Sequence, residues 1–454
     1  MRSYDLIVLG AGSGNMLLGP ETAHWKTAIV EPWVFGGTCL NRGCIPSKMF
    51  ILPADAVETA RHAHRLGVSA SVQSVDWLAI RDRIFGRIDP IAPSGRAWRI
   101  ENGIDVFDTA ARFVAPKVLE IDGEQITGER IVVAVGARPV IPEIPGIEDV
   151  TAHTSDSVMR LDVLPATMLV LGGGFIAVEL AHVFEAYGVD VTIVQRSARL
   201  LTAEDTEIGE AFTAVARGRF HLHTSSKVLS IEPTASGGVR ARVQTPDGEI
   251  DVEAEVLLVA AGRTPNSDTL DAAAGGLAVD DKGVIVVDQH LRTTADGVWA
   301  FGDVASQHQL KHMANAQGRV LKHNLLHPDD LRVDPNRIIP HAVFAEPQIA
   351  AVGITEREAI AGCIPHVISK KAYSDVAYGW ALEDTTGFVK LIADPATRLL
   401  LGAHIIGPQA ATLIQQLIQG MTLGQTVEQM AQVIYIHPAL TEVVENALLD
   451  VPTG

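Results

Sequence analysis

The chain has 454 residues, length for two to four domains, and its 47% hydrophobic and 20% charged residues exclude a disordered polypeptide. Aromatics at 5% against 40 glycines favour α/β layers joined by Gly-rich turns over an aromatic-cored β-sandwich. A net charge of −18 speaks against phosphate backbones and anionic lipid as partners.

The N-terminus, MRSYDLIVLG, passes from a basic start straight into a strand-like run, without the apolar segment and cleavage site of a signal peptide. The longest stretch free of Asp, Glu, Lys and Arg is Leu399–Val427. It carries Pro408, five Gln and four Gly, unlike a lipid-facing helix. A cytoplasmic protein is expected. Its three cysteines, Cys39, Cys44 and Cys363, cannot form the disulfide framework of a secreted domain.

The first strand, Tyr4–Gly10, opens the turn Gly10-Ala11-Gly12-Ser13-Gly14-Asn15. Gly10 permits a tight turn, Gly12 lets the backbone approach a pyrophosphate, and a following helix would offer its N–H groups to the anion. Glu31, at the end of AIVE, stands where an acid meets a ribose hydroxyl. The third fingerprint position is Asn15 rather than Gly or Ala, and Gly19-Pro20 breaks the pattern, so an altered helix is expected over Ser13–Trp25.

Gly36-Gly-Thr38-Cys39-Leu-Asn-Arg-Gly43-Cys44-Ile-Pro46-Ser-Lys48 sets two thiols five positions apart. Gly43 lets the chain turn so that they meet, and Pro46 suits the first turn of a helix whose positive end favours a thiolate on Cys44. No second Cys/His pair completes a zinc set, and bystander cysteines are the plain alternative. Cys363 is read as an inert thiol. The segment Ser69–Glu101 reads as amphipathic helix and is assigned no chemistry.

Apolar runs ending in Gly recur at Ile131–Gly136, Met168–Gly172 and Val256–Gly262, the signature of parallel strands buried on both faces. GARPV follows Gly136 and GRTPN, with Arg263, follows Gly262, so a Gly-rich unit and a strand with a Gly-Arg-Pro turn occur twice. Two nucleotide-binding domains are the economical reading. The second turn, Gly172-Gly-Gly174-Phe175-Ile-Ala177, fits G-x-G-x-x-A. After its partner strand, Val189–Val194, the ribose acid is missing: Gln195, Arg196 and Arg199 stand there, which favours the 2′-phosphate of NADPH over NAD. Asp303, after the run VWAFG, can bind the ribityl chain of a flavin, although alone it would read as a helix cap.

From about His341, the segments HAVFAEPQIAAVGIT, TGFVKLIAD and LLLGAHIIG read as an antiparallel sheet. Ile414, Leu417, Ile418 and Met421 mark an amphipathic helix, giving a third domain of α+β type. His437 and Glu442 offer an imidazole oriented by a carboxylate for proton transfer.

These residues resemble the pyridine nucleotide–disulfide oxidoreductases, of which GGTCLNRGCIPSK and HPALTE are specific signatures, and the likeness covers nearly the whole chain. The resemblance implies an α/β fold of two Rossmann-like dinucleotide-binding domains, for FAD and NADPH, plus a C-terminal α+β dimerisation domain. It implies FAD-binding residues 1–149, NADPH-binding residues 150–270, a returning FAD segment 271–338 and an interface domain 339–454. It further implies that NADPH reduces FAD and FAD reduces a Cys39–Cys44 disulfide. Cys44 would face the flavin as a charge-transfer thiolate, Cys39 would attack the substrate disulfide, and His437, held by Glu442, would come from the partner subunit of a homodimer as acid–base. Lys48 would pair with Glu179 beside the flavin, and Phe175 takes a position where relatives keep a Tyr gate. The expected cofactor contacts are Gly10, Gly12, Gly14, Glu31, Thr38, Lys48, Gly136, Asp303, Gly172, Gly174, Phe175, Glu179, Arg196, Arg199, Gly262 and Arg263, with no metal.

GAGSGNM, FGRIDPIAPSG, HTSDSVMR, LKHMANAQGRV and DVAYGWALEDTTGFVKLI resemble the branch of the family that reduces mycothione, the low-molecular-weight disulfide of mycothiol. Ser13–Trp25 contains no Lys or Arg, which suits a sugar-rich disulfide better than the polyanionic glutathione disulfide. The rival readings are a dihydrolipoamide dehydrogenase, which should carry an acid near Gln195, a glutathione reductase-like enzyme, and a non-catalytic redox-sensing flavoprotein, which would not need all of Cys39, Cys44, His437 and Glu442.

Overall fold

A computed structural model describes residues 1–334 and 338–453. Residues 335–337 of the expected returning segment, and Gly454 at the end of the expected interface domain, lie outside the described residues. By its contacts the chain divides into two compact units. The first contains Met1–Pro46, Ile80–Val140 and the segment beginning at Gly262. The second contains Ser47–Ala79, Ile141–Ala261 and the described C-terminal residues.

The first unit is built on a seven-stranded sheet. Asp105–Phe107, Thr27–Val30, Arg2–Leu9 and Glu124–Val133 run parallel, and Val298–Ala300 joins the last of these in parallel. A hairpin of Ala111–Ala115 and Val118–Ile121 extends the sheet antiparallel. Ile7, Leu9 and Ile131 pack on one side of the central strands and Leu6, Val8 and Val132 on the other, so an uninterrupted apolar run is what this position requires. The two Gly-Arg-Pro turns pair with each other: Ala137–Pro139 lies antiparallel to Arg263–Pro265.

The second unit contains a five-stranded parallel sheet in the order His221–His223, Asp190–Val194, Thr167–Leu171, Val256–Val259, Ala152–His153. It also contains an antiparallel sheet of Lys227–Pro233, Val239–Thr245 and Gly248–Ala254. The C-terminal residues form a five-stranded antiparallel sheet, His341–Val343, Ile349–Gly353, Leu400–Ile406, Phe388–Ala393, Val367–Ala372. Helices Ala410–Thr422 and Thr441–Leu449 cover one face of it through Leu413, Ile414, Leu417, Val443 and Val444. The alternation of a strand sends Lys390 and its cross-strand neighbour His404 to the other face. There Lys390 is fully buried with Asp205 (2.9 Å), Glu207 (2.8 Å) and Glu356 (2.5 Å), which tie this sheet to the parallel-sheet region. Among the described residues, no helix is long and apolar enough to cross a membrane.

Candidate active site

The first Gly-rich turn is set by the sheet beneath it. Gly10 donates to Val30 O (2.8 Å) and Ala134 donates to Leu9 O (2.8 Å), which leaves Gly10 at φ +103° with the Ala134 carbonyl against it. A Cβ on Gly10 would lie 2.3 Å from that oxygen. Gly12 and Gly37 meet backbone to backbone, and a Cβ on Gly37 would lie 2.6 Å from Gly12 Cα. Gly14 packs over Val8. Glu31 is buried and accepts from the N–H groups of Ala11 (2.8 Å) and Trp33 (3.0 Å). Burial pushes its carboxyl up, against the pull of those donors and Arg42.

No single helix follows. Ser13–Trp25 contains two short 3-10 turns, Ser13–Leu17 and Pro20–Thr22, separated at Gly19. The expectation of a helix there is corrected to this extent, and Gly19-Pro20 supplies the reason: proline fixes φ and removes a donor. Asp303 sits half-buried in the turn Gly302–Val304. Burial raises its carboxyl, while the Arg263 and Lys311 cations oppose the rise. Lys311 Nζ donates to Ser13 Oγ at 2.9 Å. Gly136 (φ +68°) and Gly262 (φ +128°) start the paired Gly-Arg-Pro strands, where Arg263 donates to Ala137 O. A close-packed glycine turn flanked by the buried Glu31 and the half-buried Asp303 fits a dinucleotide.

The second turn repeats the backbone geometry. Gly172 donates to Val194 O (3.0 Å), Ala260 donates to Leu171 O (2.8 Å), and a Cβ on Gly172 would lie 2.3 Å from Ala260 O. Here a 12-residue α-helix, Phe175–Ala186, follows with Gly174 at its N-cap. A Cβ on Gly174 would touch nothing within 4 Å, so the helix start is open to a phosphate. Phe175 is exposed. Gln195 accepts from Arg196 N–H at 3.1 Å. The two arginines expected to share a 2′-phosphate are placed differently. Arg196 is exposed. Arg199 is turned onto the carbonyls of Leu201 (3.0 Å), Thr202 (3.4 Å) and Glu204 (3.5 Å), against the Cα of Gly209.

Cys39 and Thr38 lie on the short helix Gly37–Arg42, and Cys44 is the first residue of the 19-residue helix Cys44–His62. Between them a Cβ on Gly43 would lie 2.9 Å from Thr38 O, so the tight link needs glycine. The pair is present as two thiols, Cys39 half-buried and Cys44 exposed, with a side-chain hydrogen bond between them. That bond, then burial, pushes the Cys39 thiol far up, while Lys311 opposes the rise.

In the second unit Lys48 Nζ meets Glu179 Oε2 at 2.6 Å, and Phe344 N–H donates to Oε1 at 2.9 Å. Glu179 is buried, which raises its carboxyl against the pull of Lys48. His437 Nδ1 is 2.7 Å from Glu442 Oε1, and Ala439 N–H donates to Oε2 at 3.0 Å. The imidazole and the Ala439 donor hold the Glu442 carboxyl below its usual range. His437 is 73% exposed, and beside it Val433, Ile434 and Ile436 stand in solvent, Ile434 completely. An apolar run left bare next to an oriented imidazole is a surface for a partner subunit.

Sequence reasoning missed two cations at the first turn. Lys311 lies 298 residues from Ser13, and Arg99 donates to Asn15 Oδ1 from 84 residues away. Arg99 lies on Ile91–Glu101, the second of two helices, after Trp77–Ile88, in the segment Ser69–Glu101 expected as amphipathic helix, whose residues 69–76 are not helical. Local spacing holds no signal for either cation.

Residues 4–319 match the family described as pyridine nucleotide-disulphide oxidoreductase, and residues 339–448 match the dimerisation domain of pyridine nucleotide-disulphide oxidoreductases. The chain is 47% identical to a mycothione reductase of Mycobacterium tuberculosis, over 99% of both chains. It is 32% identical to a dihydrolipoyl dehydrogenase of Haloferax volcanii, over 98% of this chain and 96% of that one. The solved structure of the HOCl-induced flavoprotein disulfide reductase RclA from Escherichia coli superposes with a TM-score of 0.85 at 27% identity, over 99% of this chain and all of that one.

Proposed function

We propose, from the premise that this chain belongs to the pyridine nucleotide-disulphide oxidoreductases and is a homodimeric, FAD- and NADPH-dependent reductase of a low-molecular-weight disulfide, that its substrate is mycothione. The likeness to mycothione reductase supports that substrate, whereas the absence of Lys and Arg from Ser13–Trp25 does not, because the fold brings Lys311 and Arg99 onto Ser13 and Asn15. The chemistry rests on one observation, the hydrogen-bonded Cys39–Cys44 pair at the start of a long helix.

In this reading the first turn, with Gly10, Gly12, Gly14, Glu31, Thr38, Gly136, Asp303, Gly262 and Arg263, holds FAD, and Lys48 and Glu179 lie beside the flavin. Gly172, Gly174, Phe175 and Arg196 hold NADPH, and Arg199 braces the loop that carries Arg196. The four-segment division at 149, 270 and 338 belongs to the same reading, as does a cytoplasmic location, which suits a chain with only three cysteines. When bound, FAD relays two electrons from NADPH to the cysteine pair.

The residues then divide the work. Two adjoining thiols oppose each other's ionisation, and Cys44 is the one at the start of the long helix, where the positive end favours the thiolate of the reduced pair. His437 of the partner subunit takes the Cys39 proton, and the Cys39 thiolate attacks one sulfur of the substrate disulfide. The first substrate thiolate leaves and takes that proton from the imidazolium, whose charge Glu442 balances. The Cys44 thiolate next attacks the Cys39 sulfur, the second substrate thiolate leaves and takes up from water the proton that Cys44 had released on ionising, and the Cys39–Cys44 disulfide is restored. One dithiol and one disulfide become one disulfide and two thiols.

The test compares NADPH oxidation with mycothione, glutathione disulfide and lipoamide. Mycothione should give the highest kcat/KM, and a preference for lipoamide would sink the substrate assignment. A heterodimer of Cys39→Ser and His437→Ala chains tests the shared site. Each parent homodimer should be nearly inactive, and the heterodimer should recover about half of wild-type activity because one of its two sites is whole. A flavin-loaded heterodimer as inactive as its parents would rule sharing out.

A further inference from the structure

The first Gly-rich turn lacks the helix that ordinarily faces a diphosphate, since only the five-residue 3-10 turn Ser13–Leu17 follows it. Partial charge at a helix start comes from aligned peptide dipoles and unpaired N–H groups, and so short a turn supplies little of it. A full charge stands nearby instead. Arg99, on the helix Ile91–Glu101, donates from Nε to Asn15 Oδ1 at 2.9 Å. Asn15 Nδ2 donates in turn to Ala11 O, and Ala11 N–H donates to Glu31 at 2.8 Å. One hydrogen-bonded chain therefore runs from the buried carboxylate through the turn to the guanidinium.

Arg99 is half-buried, and among the described residues no carboxylate lies within ion-pair distance of it. Its other contacts are Gly95 O and the faces of Phe35 and Trp98, each 5.6 Å away. Arg96, one turn earlier on the same helix, is by contrast paired with Asp108. Burial pushes the Arg99 guanidinium down with no anion to offset it. A partly desolvated cation without a counter-charge costs free energy, and a bound anion relieves that cost.

We propose that Arg99, fixed by Asn15, is a positioning residue that supplies the positive charge compensating the FAD diphosphate at the first turn, in place of a regular helix N-terminus. The inference rests on the reading that FAD occupies this turn. It also accounts for Asn15 in place of the third fingerprint Gly or Ala, because the Asn15 amide joins the turn carbonyl to the guanidinium, which no alkyl side chain could do.

The test is FAD release from the purified holoenzyme, followed by recovery of flavin fluorescence on dilution at low and high salt. Arg99→Gln should weaken FAD retention about tenfold or more at low salt, the scale of one charge-assisted interaction, and should flatten its salt dependence. Arg99→Lys, which keeps the charge, should restore most of the retention. If Arg99→Gln does not yield folded dimer, Asn15→Ala carries the test, with several-fold weaker retention expected. Wild-type retention in the folded variant, or weaker retention with an unchanged salt dependence and no rescue by Arg99→Lys, would overturn the inference and leave Arg99 a packing residue. Glu31→Gln separates the two levels. If it leaves FAD retention unchanged, FAD does not occupy the first turn. If it weakens retention while Arg99→Gln does not, only the role of Arg99 fails.

Discussion

At Gly10 and at Gly172 the backbone does the same thing: the N–H bonds the end of the neighbouring strand, φ turns positive, and a carbonyl from the strand on the other side closes to where a Cβ would be. Beyond the second fingerprint glycine, Gly12 in one and Gly174 in the other, the two regions part. The first turn runs into broken 3-10 structure with Asn15, and its partner strand ends at the buried, doubly hydrogen-bonded Glu31. The second runs into a regular α-helix, and its partner strand ends at Gln195 and the exposed Arg196. Strand pairing dictates the turn, because the hydrogen bonds leave one path for the chain. Charge handling is free to diverge, because it depends on side chains that other segments deliver.

The largest expected effect breaks the two turns separately. Gly10→Ala should purify without flavin and with a lowered Tm, because a Cβ 2.3 Å from a carbonyl oxygen forces the strand ends apart at about 1–3 kcal/mol or more. Gly172→Ala meets the same clash but should keep its flavin and lose roughly tenfold to a hundredfold in kcat/KM for NADPH. Flavin-to-protein absorbance ratios and NADPH kinetics check both, and loss of flavin from Gly172→Ala would mean that the turns are not independent sites.

Next in size is nucleotide choice. Arg196→Gln should raise KM for NADPH about tenfold, the loss of one charge-assisted contact, and leave NADH nearly unchanged. Arg199→Gln should lower Tm and change both nucleotides alike, because its guanidinium holds three carbonyls. Equal effects of the two substitutions on NADPH alone would return Arg199 to the phosphate site. Gln195→Glu, which copies Glu31 into the second turn, should shift preference toward NADH by a few-fold, read as a ratio of kcat/KM values.

The smallest effect is a pH dependence confined to the first turn. Burial raises the folded Glu31 carboxyl above its unfolded value, so the flavin-free folded state binds the proton more tightly. Stability relative to Glu31→Gln should therefore fall as pH rises from about 4 through the raised value, and level off above it. Chemical denaturation across that range measures it. A difference that grows with pH would mean that the two backbone donors outweigh burial.

Much of the molecule is legible in its residue order. The apolar runs at Tyr4–Gly10 and Met168–Gly172 lie buried on both faces, and such strands are written in consecutive residues. The Cys39–Cys44 and His437–Glu442 pairs are equally local, each five residues apart, so spacing was enough to bring them together. Lys390 in TGFVKLIAD looks like an ordinary solvent-facing charge and is instead fully buried, because Asp205 comes to it from 185 residues away. Removing its ammonium would strand the buried Asp205 carboxylate, at a cost of roughly 3–5 kcal/mol, and nothing in its neighbours along the chain announces that.

By itself, then, the sequence determined the strands, the glycine positions at the two turns and the thiol and imidazole pairs, since each depends on backbone geometry or contacts within a few residues. Only the tertiary structure decided which charges are neutralised and which are left to meet a ligand. Arg196 and Arg199 are alike on paper, yet one faces solvent and the other is spent on carbonyls. Arg96 and Arg99 share a helix, yet one has Asp108 and the other has Asn15. The balance of a buried charge is set by whatever the fold brings within a few ångströms, and the linear order of residues does not contain that distance.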